Sequence, residues 1–428
     1  MSKLKHILTL LLLLAFIFGC VEEIELSTEV TSESLLVVEA TITDELKVQK
    51  ILLSRTTNLE EEFVPLPESS ATVIVKNENT VYAFRENNLG EYLSVIPFKA
   101  YEGLEYQLEI TTSDGKKYNS AKEGLTQGTT IDEINIEREF NISNEEEVVI
   151  SVDAYDPSGN SKYYRFEYEE TYKILSPLYS PLELIPNEVK FPIAAHTVNL
   201  LNTPGLIDRL VDIQFRELQE RICYNTVKSN TIILANTIAL LEDRLDNFNI
   251  RFISKDNYII AHRYSVLVRQ YVQNRAAHVF YETLKSFSDS ENVFSENQTG
   301  FIEGNVFSVS ANNEKVIGFF EVSSVDEKRV FFNYEDLFQE DSLNPYSTRC
   351  DQFWKPALLE ESPDHEIMRS PLLDMLNRGF KMFDLDFVPG EEDFYFNPYA
   401  EGPFTLVLES CGDCTVLGNN IAPNFWED

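Results

Sequence analysis

Five cysteines carry most of the chemistry that can be read from this sequence. Cys20 follows Lys3, Lys5, an apolar run over residues 7–18 and Gly19. A basic start, a short apolar core and a small residue before Cys form the pattern of a lipoprotein export signal. About a dozen apolar residues fall short of the ~20 that a membrane-spanning helix needs. The expectation is that residues 1–19 are removed and that Cys20 is the lipidation site, acylated on its thiol and its new amine. The chain is then anchored to a membrane and does not cross it. Cys223, Cys350, Cys411 and Cys414 are disulfide candidates in the oxidising compartment that export implies, and four thiols leave three pairings open. Cys411 and Cys414 could form one knuckle of a four-thiolate zinc site, but Cys223 and Cys350 stand alone, so disulfides are favoured. A redox role finds no βαβ pattern around the C-x-x-C.

The remaining chemistry is sparse. His196, His262, His278 and His365 are the histidines beyond the signal, and no zinc-protease, nucleophile-elbow or phosphate-loop motif accompanies them. His262 shares parity with Tyr258, Ile260 and Tyr264, which predicts a buried core histidine, whereas His278 lies off a helical stripe and is expected to face solvent. Adjacent acids such as Glu145-Glu146-Glu147, Glu169-Glu170 and Glu391-Glu392-Asp393 read as solvated faces in a chain with 71 carboxylates. Asp153, Asp156 and Asn160 could converge on calcium, yet Pro157 and Gly159 already account for that segment as a turn. No catalytic residue, cofactor site or metal site is expected. The numerous tyrosines and phenylalanines offer surfaces on which a glycan or peptide ligand could stack, although their strand-like spacing suits core packing as well.

Removal of residues 1–19 leaves 409 residues, enough for two or three domains, and lowers the net charge from −36 to −38. Such a surface repels phosphate backbones and anionic headgroups, which excludes nucleic-acid binding and leaves membrane attachment to the lipid. With 43% hydrophobic and 12% aromatic residues, the chain is too apolar to be a disordered acidic tail.

The elements that must position these residues are mostly strands. Residues 20–33 form an acidic tether. Over residues 34–127, Leu36, Val38, Ala40 and Ile42 alternate, short apolar segments follow at 48–53, 71–75 and 81–84, and Tyr106, Leu108 and Ile110 lead into Asp114-Gly115, a type I′ hairpin signal with Tyr118 beyond it. This predicts a small β-sandwich, which by architecture alone looks like the immunoglobulin-like or carboxypeptidase-regulatory-like sandwiches. Residues 128–428 predict a larger β-sandwich-type domain: alternation at 148–152, 164–168, 248–252 and 258–268, then strands at 316–322, 329–332 and 404–408. One packed helix interrupts them, with Ala276, Val279, Phe280, Leu284 and Phe287 at helical spacing and Asn274 placed as its N-cap. Residues 177–227 lack a clear period and read as a long elaborated loop, where a partner would bind.

The block at residues 264–271, the helix with Phe280 and Leu284, Gly318-Phe319-Phe320, residues 327–331, and the tail with Cys411, Gly412, Asp413, Cys414, Gly418, Pro423, Phe425 and Trp426 together resemble a known family. It is the Bacteroidota outer-membrane lipoprotein family catalogued as domain of unknown function 4249. Asn424 stands where that family usually has Asp. The resemblance implies no catalytic residues. It implies an outer-membrane, lipid-anchored protein encoded beside TonB-dependent receptors, and Glu22-Glu23 after Cys20 resembles signals that send such lipoproteins to the cell surface. The expected function is an accessory or substrate-binding partner of a TonB-dependent transporter. A structural or adhesive surface protein is the alternative, and a carboxylate- or metal-dependent hydrolase the third.

Overall fold

A computed structural model of the chain describes residues 34–56, 66–191, 193–194, 203–288, 302–311, 314–340, 346–361, 366–387 and 397–428. The signal segment, the lipidation candidate Cys20, the tether, His196, His365 and the acids at 391–393 lie outside the described residues. The fold is mainly β, as the alternating segments predict.

Seven strands open the chain: β1 (Leu36–Thr43), β2 (Lys50–Arg55), β3 (Thr72–Lys76), β4 (Val81–Asn88), β5 (Glu91–Ser94), β6 (Glu105–Thr111) and β7 (Lys117–Ser120). Their alternating apolar residues point to one side, and Leu36, Val38, Ile42, Tyr92, Tyr106 and Tyr118 are buried in a common core. The β6–β7 turn departs from type I′. Only Gly115 takes a positive φ, and Thr112 N bonds Lys116 O at 2.9 Å, which makes a three-residue loop with glycine in the left-handed position. Asp114 instead spends its carboxylate accepting from Lys116 N and the Thr112 hydroxyl.

Ten further elements build the middle of the chain: β8 (Ile131–Phe140), β9 (Glu146–Asp156), β10 (Tyr163–Leu175), β11 (Ile222–Lys228), β12 (Asp243–Ser254), β13 (Arg263–Gln273), the helix α1 (Arg275–Ser288), β14 (Val306–Ser308), β15 (Val316–Asn333) and the short helix α2 (Tyr334–Leu337). β8, β9 and β12 form an antiparallel sheet of three. Its Val148, Ile150 and Val152 share one core with Tyr164, Phe166, Tyr264, Val266 and Val268 from β10 and β13, so the two sheets pack face to face. Residues 258–260, expected to continue β13, form a 3₁₀ turn instead.

The strand order in the large sheet runs β11-β10-β13-β15-β1-β2-β5-β4-β3-β6-β7-β14. β15 is the shared strand. Residues 316–323 pair parallel with β1, and residues 324–333 pair antiparallel with β13. The sequence divides this stretch into two strands because residues 323–328 are polar apart from Val325. Those side chains are bonded in place: the Asp326 carboxylate accepts from Ile131 N at 2.7 Å and Glu327 pairs with Arg269 at 3.0 Å. Val316, Phe320 and Val322 of β15 and Val306 of β14 pack into the first core. The first unit is thus closed by strands that fall within the sequence-defined segment 128–428. Asn305 completes the closure, since its side-chain amide bonds both N and O of Phe320, replacing a backbone partner. Gly318 is required at this junction: its φ is +146°, and a Cβ there would come within 2.2 Å of Val38 O.

The segment 177–227 is not an irregular loop. Residues Leu182–Pro186 and Val211–Phe215 pair as antiparallel strands around the helix Thr203–Leu210, and the segment ends in β11. Leu206, Ile207 and Leu210 are buried with Leu358, Leu372, Leu406 and Phe404, forming a third core shared with the helix Pro371–Asn377. These elements are short, so their period is too brief to stand out from a loop. The larger domain therefore holds more than the one helix expected.

Candidate functional site

The two faces of the large sheet have different fates. Even-numbered residues of β10 and β13 enter the sandwich core, and odd-numbered ones emerge on the opposite face. There Glu39 of β1, Lys50 of β2, Arg165 and Glu167 of β10, Arg269 and Tyr271 of β13 and Phe319 of β15 line a cleft of about 720 Å³, a size typical of small-molecule sites. α1 supplies one wall with Phe280, Tyr281 and Leu284, and the end of β11 with the residues that follow it, 228–232, supplies another. The expected N-cap holds α1 in place: Asn274 Oδ1 accepts from Ala277 N at 2.8 Å. Phe280 then packs on Phe319 with ring centroids 5.5 Å apart.

Arg165 is the centre of the floor. It is 7% exposed and directly opposite Tyr271 in the β10–β13 register. Its guanidinium lies 4.2 Å from the Tyr271 ring centroid and 4.8 Å from that of Tyr281, so two aromatic faces hold the cation. Glu167 bonds Arg165 Nη1, and Glu321 Oε2 lies 3.3 Å from Nη2. Burial alone would weaken the proton on this guanidinium, but the charges of Glu321 and Glu167 outweigh it and keep Arg165 firmly cationic. Its Nε is buried without a hydrogen-bond partner. Tyr271 donates to Glu167 at 3.2 Å, and burial pushes the phenols of Tyr271 and Tyr281 well above their ordinary range.

On the same face of the sheet the polar network continues toward α1. Glu321 Oε1 accepts from Gln273 Nε2 at 3.1 Å, and Gln273 Oε1 lies 3.3 Å from His278 Nδ1. With the Gln273 amide nitrogen facing Glu321, its oxygen can only accept, so His278 is the donor through Nδ1. His278 is therefore buried at 3% exposure, contrary to the solvent-facing position expected from its helical stripe. The reason is that α1 is covered on two sides: Phe319 meets one, and on the other the Tyr163 ring lies tilted against the imidazole with centroids 5.0 Å apart. Val279 is the exposed neighbour instead. His262 is partly buried, and burial depresses its imidazole to about 4.

The other sequence-selected residues lie elsewhere. Cys223 bonds Cys414 and Cys350 bonds Cys411, so the C-x-x-C splits between two partners. Neither disulfide lines the cleft. Asp156 accepts from the backbone N of Ser158, Asn160 and Ser161, which holds its carboxyl far below the usual range despite burial, while Asp153 turns to Asn247 N and Asn135. The two carboxylates face different partners and do not converge on a calcium site.

No functional role was read from Arg165, Glu167, Glu321, Lys50 or Lys228 in the sequence. One signal was present: Glu321 interrupts the apolar run from Ile317 to Val322, and a lone charge inside a buried strand needs a partner.

No curated protein matches the chain. A family model described as Domain of unknown function (DUF4249) matches residues 21–329, a span that contains every residue lining the cleft and stops before Cys350, Cys411 and Cys414. The chain belongs to that family.

Proposed function

We propose that this protein is a non-enzymatic lipoprotein of the outer membrane, anchored through Cys20 and exposed at the cell surface. In this reading it works as an accessory or substrate-binding subunit of a TonB-dependent transporter. The observation that carries the reading is the aromatic-walled cleft on the open face of the large sheet, beside α1, with charged groups converging on its floor. The export pattern at residues 1–20 and the partners implied by the family resemblance supply the context. Glu167 is occupied by Arg165 and Tyr271, which supports binding over carboxylate-driven hydrolysis. The test is affinity purification of the full-length lipoprotein from detergent-solubilised outer membranes. A TonB-dependent receptor should co-purify in stoichiometric amount, and its repeated absence would sink the proposal.

A structural or adhesive spacer is the second reading, favoured by the strand shared between the two sandwiches, which makes them one stiff body. Gene deletion that changes attachment while uptake stays intact would select it.

A further inference from the structure

The cleft reverses the charge of the molecule. The chain carries 71 acidic and 35 basic side chains, yet the cleft is lined by five bases, Lys47, Lys50, Arg165, Lys228 and Arg269, against two acids, Glu39 and Glu167. In a protein whose surface is otherwise strongly anionic, such a site draws and retains a negative ligand. Three of the five cations already have carboxylate partners: Lys47 with Glu45, Arg269 with Glu327, and Arg165 with Glu167 and Glu321. Lys50 and Lys228 form no ion pair among the described residues, and both are exposed, one on the wall from the first unit and one on the wall from the second. Arg165 adds a buried N–H donor without a partner.

The two acids narrow the ligand further. Glu39 is open to water but walled in on most sides, and it forms no ion pair among the described residues. With Glu167 on the same face of the sheet, it would repel the closely spaced charges of a polyphosphate or of rings that each carry several sulfates. One acid group per ring satisfied by lysines, beside ring hydroxyls that donate to carboxylates, meets both signs. We propose that the cleft binds an acidic saccharide, a hydroxylated ring carrying one carboxylate, as in a uronic-acid oligomer. This rests on the reading of the cleft as a ligand site.

Calorimetric titration of the full-length protein in detergent tests it, with tri-galacturonate, its methyl ester and tri-glutamate as probes. Tri-galacturonate should bind at least about tenfold more tightly than the ester, which has the same rings without the charge. Affinity should fall with salt, and Lys50→Glu combined with Lys228→Glu should weaken it by about tenfold or more while leaving the circular dichroism spectrum unchanged. Equal affinity for acid and ester, indifference to the charge reversals, or no binding of tri-galacturonate overturns the proposal. Tighter binding of tri-glutamate overturns it in favour of an acidic peptide. None of these results bears on receptor co-purification, so the two proposals fail separately.

Discussion

Two junctions in this molecule are made in opposite ways. The first and second units are joined by a strand that both of them need, β15, whose hydrogen bonds run to β1 at one end and β13 at the other. The third unit has its own core: Cys350–Cys411 ties together the two ends of its segment 354–407, and Cys223–Cys414, buried in the second core, pins the chain that leaves it to β11. A shared strand couples two cores cooperatively, because neither can lose it without exposing a sheet edge and apolar surface. A disulfide acts chiefly by limiting the unfolded chain, and it leaves the tethered unit free to open on its own. The cleft sits at the junction of the first kind, where its walls are held in fixed relation.

The largest test of this contrast is Gly318→Val. Placing a branched side chain within 2.2 Å of Val38 O should cost more than about 4 kcal/mol in urea unfolding, with both units melting in one shifted transition. If the first unit melted alone while the second kept its midpoint, the shared strand would not be what couples them. Next in size are the disulfides. Replacing Cys223 and Cys414 by Ser should cost about 2–4 kcal/mol, and roughly 1 kcal/mol more than replacing Cys350 and Cys411, because the bridged residues are 191 apart rather than 61. Limited proteolysis should then cut within residues 182–215 and 354–407 first; equal cutting of β1 to β7 would erase the distinction between the junctions.

The smallest effect is acid. His262 precedes β13, and its imidazole is held at about 4 against an ordinary value of 6.5. Between those values the unfolded chain binds a proton that the folded one refuses, so stability falls as pH drops from about 6.5 through about 4. After discounting for partial exposure this amounts to about 2 kcal/mol. His262→Gln should flatten that slope in pH-dependent denaturation, and an unchanged slope would assign the acid sensitivity to other groups.

Strand faces were legible in the sequence because a period of two reports burial directly, as at Leu36, Val38, Ala40 and Ile42. The Asn274 cap was legible because a polar residue before a helical stripe has few other uses. Partners were not. Alternation at 316–322 shows a strand with a buried face, but nothing in it reveals that β1 lies alongside, 280 residues away. The cleft was hidden for a related reason. Arg165, Glu167 and Arg269 occupy the polar parity of their strands, which reads as solvated surface until α1 is seen to cover it.

The parallel pairing of β1 with β15 also sets an order of events in folding. Leu36 meets Val316, so the amino-terminal core lacks one of its walls until three-quarters of the polypeptide is available. Synthesis, proceeding from the amino terminus, delivers β1 to β7 long before the strand that seals them. During that interval Val38, Ala40 and Ile42 border an unsatisfied edge. Such distant contacts slow folding, and the first core cannot close until β15 has been supplied.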